Sequence, residues 1–197
     1  MSNSSCDDVD RTPDFVTIKG MEYSTKLTEL QLFLDETWND EDIIPLRHMN
    51  NLTKLGLNTD GSCDNHNIRD LGPVSALASL TDLWVCNVDD LTPISVLTNL
   101  TKLGLSGIRD IGPISSLRNL TKLILDDCVI DITPIIGLTK LTELHLGSQV
   151  DDITPLSNFA QSQMKEAIYL NIAVVLWYTC TRENEKNGLG VLGGMCL

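Results

Sequence analysis

The side chains best suited to catalysis or metal binding are few and scattered. A histidine can transfer protons near neutral pH or ligate a metal, but His48, His66 and His145 fall at different places in the repeated text described below, so we expect them to stay apart. The stretch CDNH at 63–66 joins one Cys to one His and lacks the second ligand pair of a structural zinc site. No P-loop, GxGxxG, HExxH or GxSxG motif occurs. We predict no catalytic residue, metal or cofactor.

The densest group of ionisable side chains is the segment DETWNDED at 35–42, with five carboxylates in eight residues. It lacks the alternating ligands and central Gly of an EF-hand, so we do not expect calcium binding. One interpretation is a solvated insertion, and the other is an acidic loop that selects a basic partner by complementary charge. The second interpretation also predicts that the tryptophan of this loop is exposed. Its residues are Asp35, Glu36, Trp38, Asp40, Glu41 and Asp42.

The whole chain is acidic. It has 14 Lys and Arg against 27 Asp and Glu, a net charge of −13 and a pI near 4.4. Nucleic acids and anionic membranes require a basic face, so neither is an expected partner, whereas a protein with a basic patch is compatible with this charge. The longest apolar run, 168–180, is thirteen residues interrupted by Asn171. A spanning helix needs about 20 residues, so membrane association is not expected.

Leucine makes up 31 of the 197 residues, and it recurs in a repeat. The second signature of each repeat contains a proline, and the prolines from Pro73 to Pro155 are 20, 20, 21 and 21 residues apart. Two adjacent repeats carry insertions, near 33–42 and 58–67. The first signature reads LTELQL (27–32), LTKLGL (52–57), LTDLWV (80–85), LTKLGL (100–105), LTKLIL (120–125) and LTELHL (141–146).

The pattern LxxLxL followed by IxDIxPLxxLxxL resembles leucine-rich repeats over residues 27–159. It is similar to the internalin type of bacterial surface proteins and to the leucine-rich regulatory subunit of protein phosphatase 1. A regular Asn between the two signatures is missing here, which departs from both families. The resemblance implies an α/β solenoid with a curved parallel β-sheet on its concave face, and partner binding through that face.

Elementary geometry predicts the same architecture. The last two leucines of LxxLxL are two residues apart and therefore share one face of a strand. A unit of about 20 residues cannot bury that face alone, so copies must stack. We expect 3₁₀ turns on the convex side, with Thr as N-cap before Pro in Thr92-Pro93 and its equivalents. The second-position threonines are expected to satisfy backbone groups. The predicted domains are an N-terminal cap (1–26), repeats (27–159), and a C-terminal cap with a mobile tail (160–197).

Stacking would place the outward strand residues in three columns across the concave face. An exposed Trp beside aliphatic and aromatic side chains is typical of a protein interface. The alternative is that terminal segments or loops cover some of these positions. The candidate partner-binding residues are Phe33, Lys54, Asp82, Trp84, Lys102, Ile124 and His145.

These features predict a non-catalytic protein-interaction module. The first 20 residues contain no apolar stretch typical of a signal peptide, and the six cysteines are scattered without a CxxC pair. We therefore expect a cytoplasmic scaffold or regulatory adaptor. A surface or secreted adhesion protein, and a regulatory subunit of an enzyme such as a phosphatase, remain alternatives.

Overall fold

One parallel β-sheet of seven strands, in chain order, forms the frame of the protein. The structure is a computed structural model that describes residues 18–24, 26–59, 68–158 and 168–170. The strands are β1 (Glu29–Leu34), β2 (Lys54–Thr59), β3 (Asp82–Cys86), β4 (Lys102–Ser106), β5 (Lys122–Leu125), β6 (Glu143–Leu146) and β7 (Ile168–Leu170).

The strands alternate with short 3₁₀ turns, and the described residues contain no α-helix. No helical segment in this part of the chain is long and apolar enough to cross a membrane. The predicted solenoid, with its parallel sheet and 3₁₀ turns, is confirmed. The turns are η1 (Met21–Tyr23), η2 (Ile44–His48), η3 (Gly72–Ala76), η4 (Thr92–Val96), η5 (Gly112–Ser116), η6 (Thr133–Gly137) and η7 (Thr154–Asn158).

The core runs without a break between the sheet and the turns. In β4, for example, Leu103 and Leu105 point inward and are each 2% exposed, and Ile114 of η5 packs from the opposite side with no exposed surface. Every complete repeat supplies equivalent inward residues, so each repeat buries the apolar face of its neighbour. The other inward strand residues include Leu55, Leu57, Leu83, Val85, Leu123, Leu125, Leu144 and Leu146.

A ladder of threonines joins each repeat to the one before it. The Thr101 hydroxyl donates to the main-chain carbonyl of Thr81 at 3.0 Å, and the same carbonyl accepts the N–H of Thr101 at 2.8 Å. Identical bonds occur at the other copies, which confirms that these hydroxyls satisfy backbone groups. The remaining donors are Thr53, Thr81, Thr121 and Thr142.

The prediction that Thr caps the 3₁₀ turns is wrong, because an aspartate two residues earlier does so. The turn η4 begins at Thr92 itself, and the Thr92 N–H donates to Asp90 Oδ1 at 2.7 Å. The bond to the aspartate requires only a main-chain N–H at the first residue of the turn. Gly72 and Gly112 can therefore occupy the position that Thr has in other repeats. The same bond is made by Asp70, Asp110, Asp131 and Asp152.

The predicted terminal regions lie largely outside the described residues. This holds for 1–17 of the N-terminal cap, for 60–67 of the second insertion, and for 160–197 apart from β7. Within the described part, Ile18 is fully buried against the core, and β7 pairs in parallel with β6. The sheet therefore continues one strand past the last leucine-rich signature, while the domain boundaries stay predictions.

We expect the Asp caps to make the fold acid-sensitive. Hydrogen bonding by Thr92 lowers the pKa of Asp90, and Thr133 does the same for Asp131, from the ordinary value of 3.8. A lowered pKa in the folded state contributes stability that is present above the unfolded pKa and lost as the pH falls through the folded pKa. Asp90→Asn with Asp131→Asn keeps an oxygen acceptor but cannot titrate. The melting temperature of the double variant should fall less between pH 5 and pH 2 than that of the wild type.

Asp151→Asn is the matched control, since Asp151 is exposed and the neighbouring Asp152 makes the cap. An acid dependence of the double variant equal to that of wild type would refute the contribution of the caps.

Leu103→Ala should lower the free energy of unfolding by about 2–5 kcal/mol, because it opens a cavity in the stacked core. Ile130→Ala removes the same kind of group from a site that is 62% exposed and should change stability by no more than about 0.5 kcal/mol. Urea unfolding followed by circular dichroism measures both variants. Equal effects of the two substitutions would contradict the inward assignment of Leu103.

Candidate functional site

The strand register creates columns of outward side chains on the concave face. Lys102 pairs with Asp82 on one side and with Lys122 on the other, and Trp84, Gly104 and Ile124 align in the same way. The predicted columns are therefore confirmed for the paired strands. The charged column contains Glu29, Lys54, Asp82, Lys102, Lys122 and Glu143, and the central column contains Gln31, Gly56, Trp84, Gly104, Ile124 and His145.

Ion pairs link neighbouring members of the charged column in its first half. Lys54 Nζ lies 2.6 Å from Glu29 Oε1, and Lys102 Nζ lies 3.3 Å from Asp82 Oδ2. The bond with Glu29 raises the pKa of Lys54. Because Glu29, Lys54 and Lys102 are about half exposed, the pairs add little to stability. Their consequence is positional, since each lysine is drawn towards a particular neighbour.

Three side chains meet at the far end of the charged column. Lys122 Nζ contacts Glu143 Oε1, and His145 Nε2 lies 3.0 Å from the same oxygen. The hydrogen bond from Lys122, and then that from His145, lowers the pKa of Glu143. His145 of the central column is thus joined to the charged column through one carboxylate.

Trp84 lies flat against the backbone of the next strand. A Cβ atom added at Gly104 would overlap the Cε3 and Cδ2 atoms of the Trp84 indole, so the ring occupies the space that a side chain at 104 would fill. Trp84 is still 38% exposed. One ring face therefore rests on β4 and the other faces solvent. Ile124, half-buried on β5, continues this apolar area on the next strand.

Phe33 belongs to the same face but not to the same patch. Its side chain is 72% exposed on β1, which is two strands away from Trp84 on β3. Adjacent strands are about 4.8 Å apart, so roughly 10 Å of sheet separates the two residues. The structure thus brings together Trp84 and Ile124 with Lys102 and Lys122, and it leaves Phe33 near the acidic loop.

Trp38 is buried, contrary to the exposed position expected for it. It is only 6% exposed and belongs to the hydrophobic core. A backbone bond from the Trp38 N–H to the Asp35 carbonyl at 3.2 Å makes a tight turn after β1. The indole is part of the core, where burying a large aromatic ring stabilises the fold. Trp38 is therefore removed from the candidate contact residues.

Three carboxylates of the acidic loop accept hydrogen bonds that hold the loop in place. Asp35 accepts bonds from the hydroxyl and the N–H of Thr37, which lower its pKa. Asp42 accepts the N–H of Asn39 at 3.0 Å. Asp40 crosses to the next repeat, where it accepts two main-chain N–H groups, from residues 69 and 70, at 2.7 and 2.9 Å. The loop is a fixed acidic edge, and its Glu36 and Glu41 remain exposed.

Sequence reasoning missed Asp126, which secures the edge of the concave face after β5. Its Oδ2 accepts the Ser106 hydroxyl at 2.8 Å and the Gly107 N–H at 2.6 Å, and its Oδ1 accepts the Cys128 N–H at 3.0 Å. Gly107 has a φ of 68°, a conformation that glycine adopts without strain. The adjacent carboxylates Asp126-Asp127 directly after a strand were the available signal.

The described residues contain no group of three or more His, Cys, Asp or Glu side chains arranged to hold a metal ion. The concave face presents an indole packed on β4, an aliphatic neighbour and charged side chains held by ion pairs.

Gly104→Ala should lift the Trp84 indole off the sheet, because the added methyl group needs the same space. With Trp38 and Trp177 replaced by Phe, Trp84 is the sole tryptophan, and its emission should shift to the red with stronger acrylamide quenching. Far-UV circular dichroism should stay unchanged. Gly137→Ala is the control, since its Cβ would meet only the Ser115 carbonyl at 3.8 Å. Unchanged emission and quenching in the Gly104 variant would disprove the flat packing.

Comparison with known proteins identifies the type of solenoid. No protein-family profile matches the sequence, and no curated protein matches it. Among solved structures, internalin C2 of Listeria monocytogenes is similar with a TM-score of 0.57 and 25% identity, over 74% of this chain and 73% of that one. An internalin (InlF) of the same species has a TM-score of 0.58 and 33% identity, over 73% of this chain but 42% of its own.

The likeness to the phosphatase regulatory subunit stays a prediction. The repeat, the parallel sheet and the two structural likenesses agree with one another, and they show that the chain is a leucine-rich-repeat protein that resembles the internalins.

Proposed function

We propose that this protein is a non-catalytic module that binds a partner protein through its concave face, with Trp84 as the central anchor. The observation that carries the proposal is the position of Trp84, whose indole is fixed on Gly104 while its outer face is open. Tryptophan is enriched among the residues that dominate binding energy. The similarity to internalin structures supports an interaction module of this kind.

The rigidity of the face favours binding. Binding to side chains that are already ordered costs less conformational entropy than binding to side chains that must become ordered in the complex. The indole rests on β4, the lysines are drawn to neighbouring carboxylates, and the threonine ladder holds the strands together. The face is therefore organised before any partner arrives.

The acidic loop supplies a second element, which is long-range attraction of a basic region on the partner. Its five carboxylates stand at the β1 end of the sheet. A fixed acidic edge accelerates encounter with a basic surface more than it strengthens the final complex. Phe33, exposed beside this edge, is the apolar contact at that end.

As the biological setting we propose a cytoplasmic scaffold or regulatory adaptor, supported by the acidic composition and the scattered cysteines. The second candidate is a surface or secreted adhesion protein, which the likeness to internalins favours. Fractionation of tagged protein separates the two candidates. A third role, as a regulatory subunit of an enzyme such as a phosphatase, predicts co-purification with a catalytic partner.

Trp84→Ala should weaken binding of the partner by about 1–3 kcal/mol while leaving the fold intact, because the residue is outside the core. The partner is first identified by affinity purification with mass spectrometry, and its affinity is then measured by calorimetry. Val96→Ala is the control, as Val96 is an exposed apolar residue on the turn η4, on the convex side. Loss of binding in the Val96 variant, with normal binding by the Trp84 variant, would contradict the proposal and place the interface on the convex side.

A further inference from the structure

We infer that the concave face recognises an acidic side chain of its partner, which binds over Lys102 and Lys122 beside the Trp84 indole. The inference rests on the proposed function and specifies the chemistry of the segment that docks at its centre. Three observations support it: the order of charges along the column, the directions in which the lysines are drawn, and the apolar area next to them.

The order of charges is interrupted at one point. From β1 to β4 the charged column alternates in sign, from Glu29 through Lys54 and Asp82 to Lys102. Lys122 then follows Lys102 directly, in register on the next strand. Strands are about 4.8 Å apart, so two positive residues stand side by side. No carboxylate of the column lies between these two lysines, so an additional anion can enter there.

The ion pairs leave room for that anion. Lys102 is drawn to Asp82 on one side, and Lys122 is drawn to Glu143 on the other, so the two carboxylates flank the pair from outside. The side chains of Lys102 and Lys122 remain 53% and 33% exposed. An ammonium group has three N–H donors, and one carboxylate does not use all of them. Each ammonium group therefore keeps N–H donors for a carboxylate that enters between the two strands.

The flanking groups also limit which anion fits. Asp82 and Glu143 repel a group with several negative charges, and the net charge of −13 opposes a long polyanion such as a nucleic acid. Two residues along the strands from the lysines lie Gly104, covered by the indole, and Ile124. The site thus combines one anionic position with an apolar neighbour. The matching partner segment carries a single Asp or Glu next to an apolar side chain.

A library of random 12-residue peptides, displayed and selected against the immobilised protein, tests this specificity. Enriched peptides should contain Asp or Glu beside an apolar residue. Changing that acid to its amide should weaken binding to the wild-type protein at least tenfold. The double variant Lys102→Gln/Lys122→Gln should bind the acidic peptide with the same loss of affinity, and it should bind the amide peptide no more weakly than the acidic one. Lys140→Gln is the matched control, because Lys140 is an exposed lysine outside the charged column whose Nζ donates to Asn119 Oδ1 at 2.6 Å. This variant should bind the peptides as wild type does.

The outcomes separate the inference from the function on which it rests. Peptides that lose binding in Trp84→Ala but bind Lys102→Gln/Lys122→Gln as well as wild type would overturn the acidic-residue inference and leave the concave-face function standing. Peptides that bind Trp84→Ala and Lys102→Gln/Lys122→Gln as tightly as wild type would overturn both the inference and the concave-face function. Enrichment of basic peptides that bind more tightly to the double lysine variant would also overturn the inference.

Discussion

Each repeat of this protein is too small to bury its own leucines, and the rest of the structure depends on that constraint. A unit of about 20 residues presents inward apolar side chains from its strand, its 3₁₀ turn and the links between them, and only a neighbouring copy can cover them. Leu103, Leu105 and Ile114 illustrate the arrangement, since each is almost completely buried. Stacking must also be in register, because a slip of one residue would turn every inward leucine to solvent. The threonine hydroxyls, bonded to the carbonyl of the preceding copy, reinforce the same register.

This constraint explains how an interaction surface arises at little cost to the fold. Once the inward positions are satisfied, the outward positions are free to vary and yet lie in fixed columns. The pairing of Trp84 with Gly104 shows what such variation achieves, because a large side chain on one strand needs a missing side chain on the next. The same relation holds between Gln31 and Gly56. Neighbouring strands thus determine together which side chains are presented and in which direction.

The sequence was most informative where it repeats. The core leucines, the columns and the parallel order of strands could be predicted because six copies of one pattern define a common register. Prediction failed for features that occur only once in the chain and for features that depend on the placement of individual side chains. Trp38 lies in an insertion whose high charge suggested exposure, yet a tight turn directs its ring into the core. The sequence pattern predicts a cap at Thr92 instead of Asp90, because Asx turns and N-caps favour the same residue types. The contact between Trp84 and Gly104 depends on a side-chain rotamer, which spacing alone does not reveal.

Site-specific photo-crosslinking tests most directly whether the concave face is the binding surface. A photoreactive amino acid placed at position 124, on the concave face, should capture a partner protein on irradiation in cells. The same residue placed at position 136, where Ile136 is exposed on the convex turn η6, should not capture that partner. Capture from position 136, with none from position 124, would contradict a concave binding face.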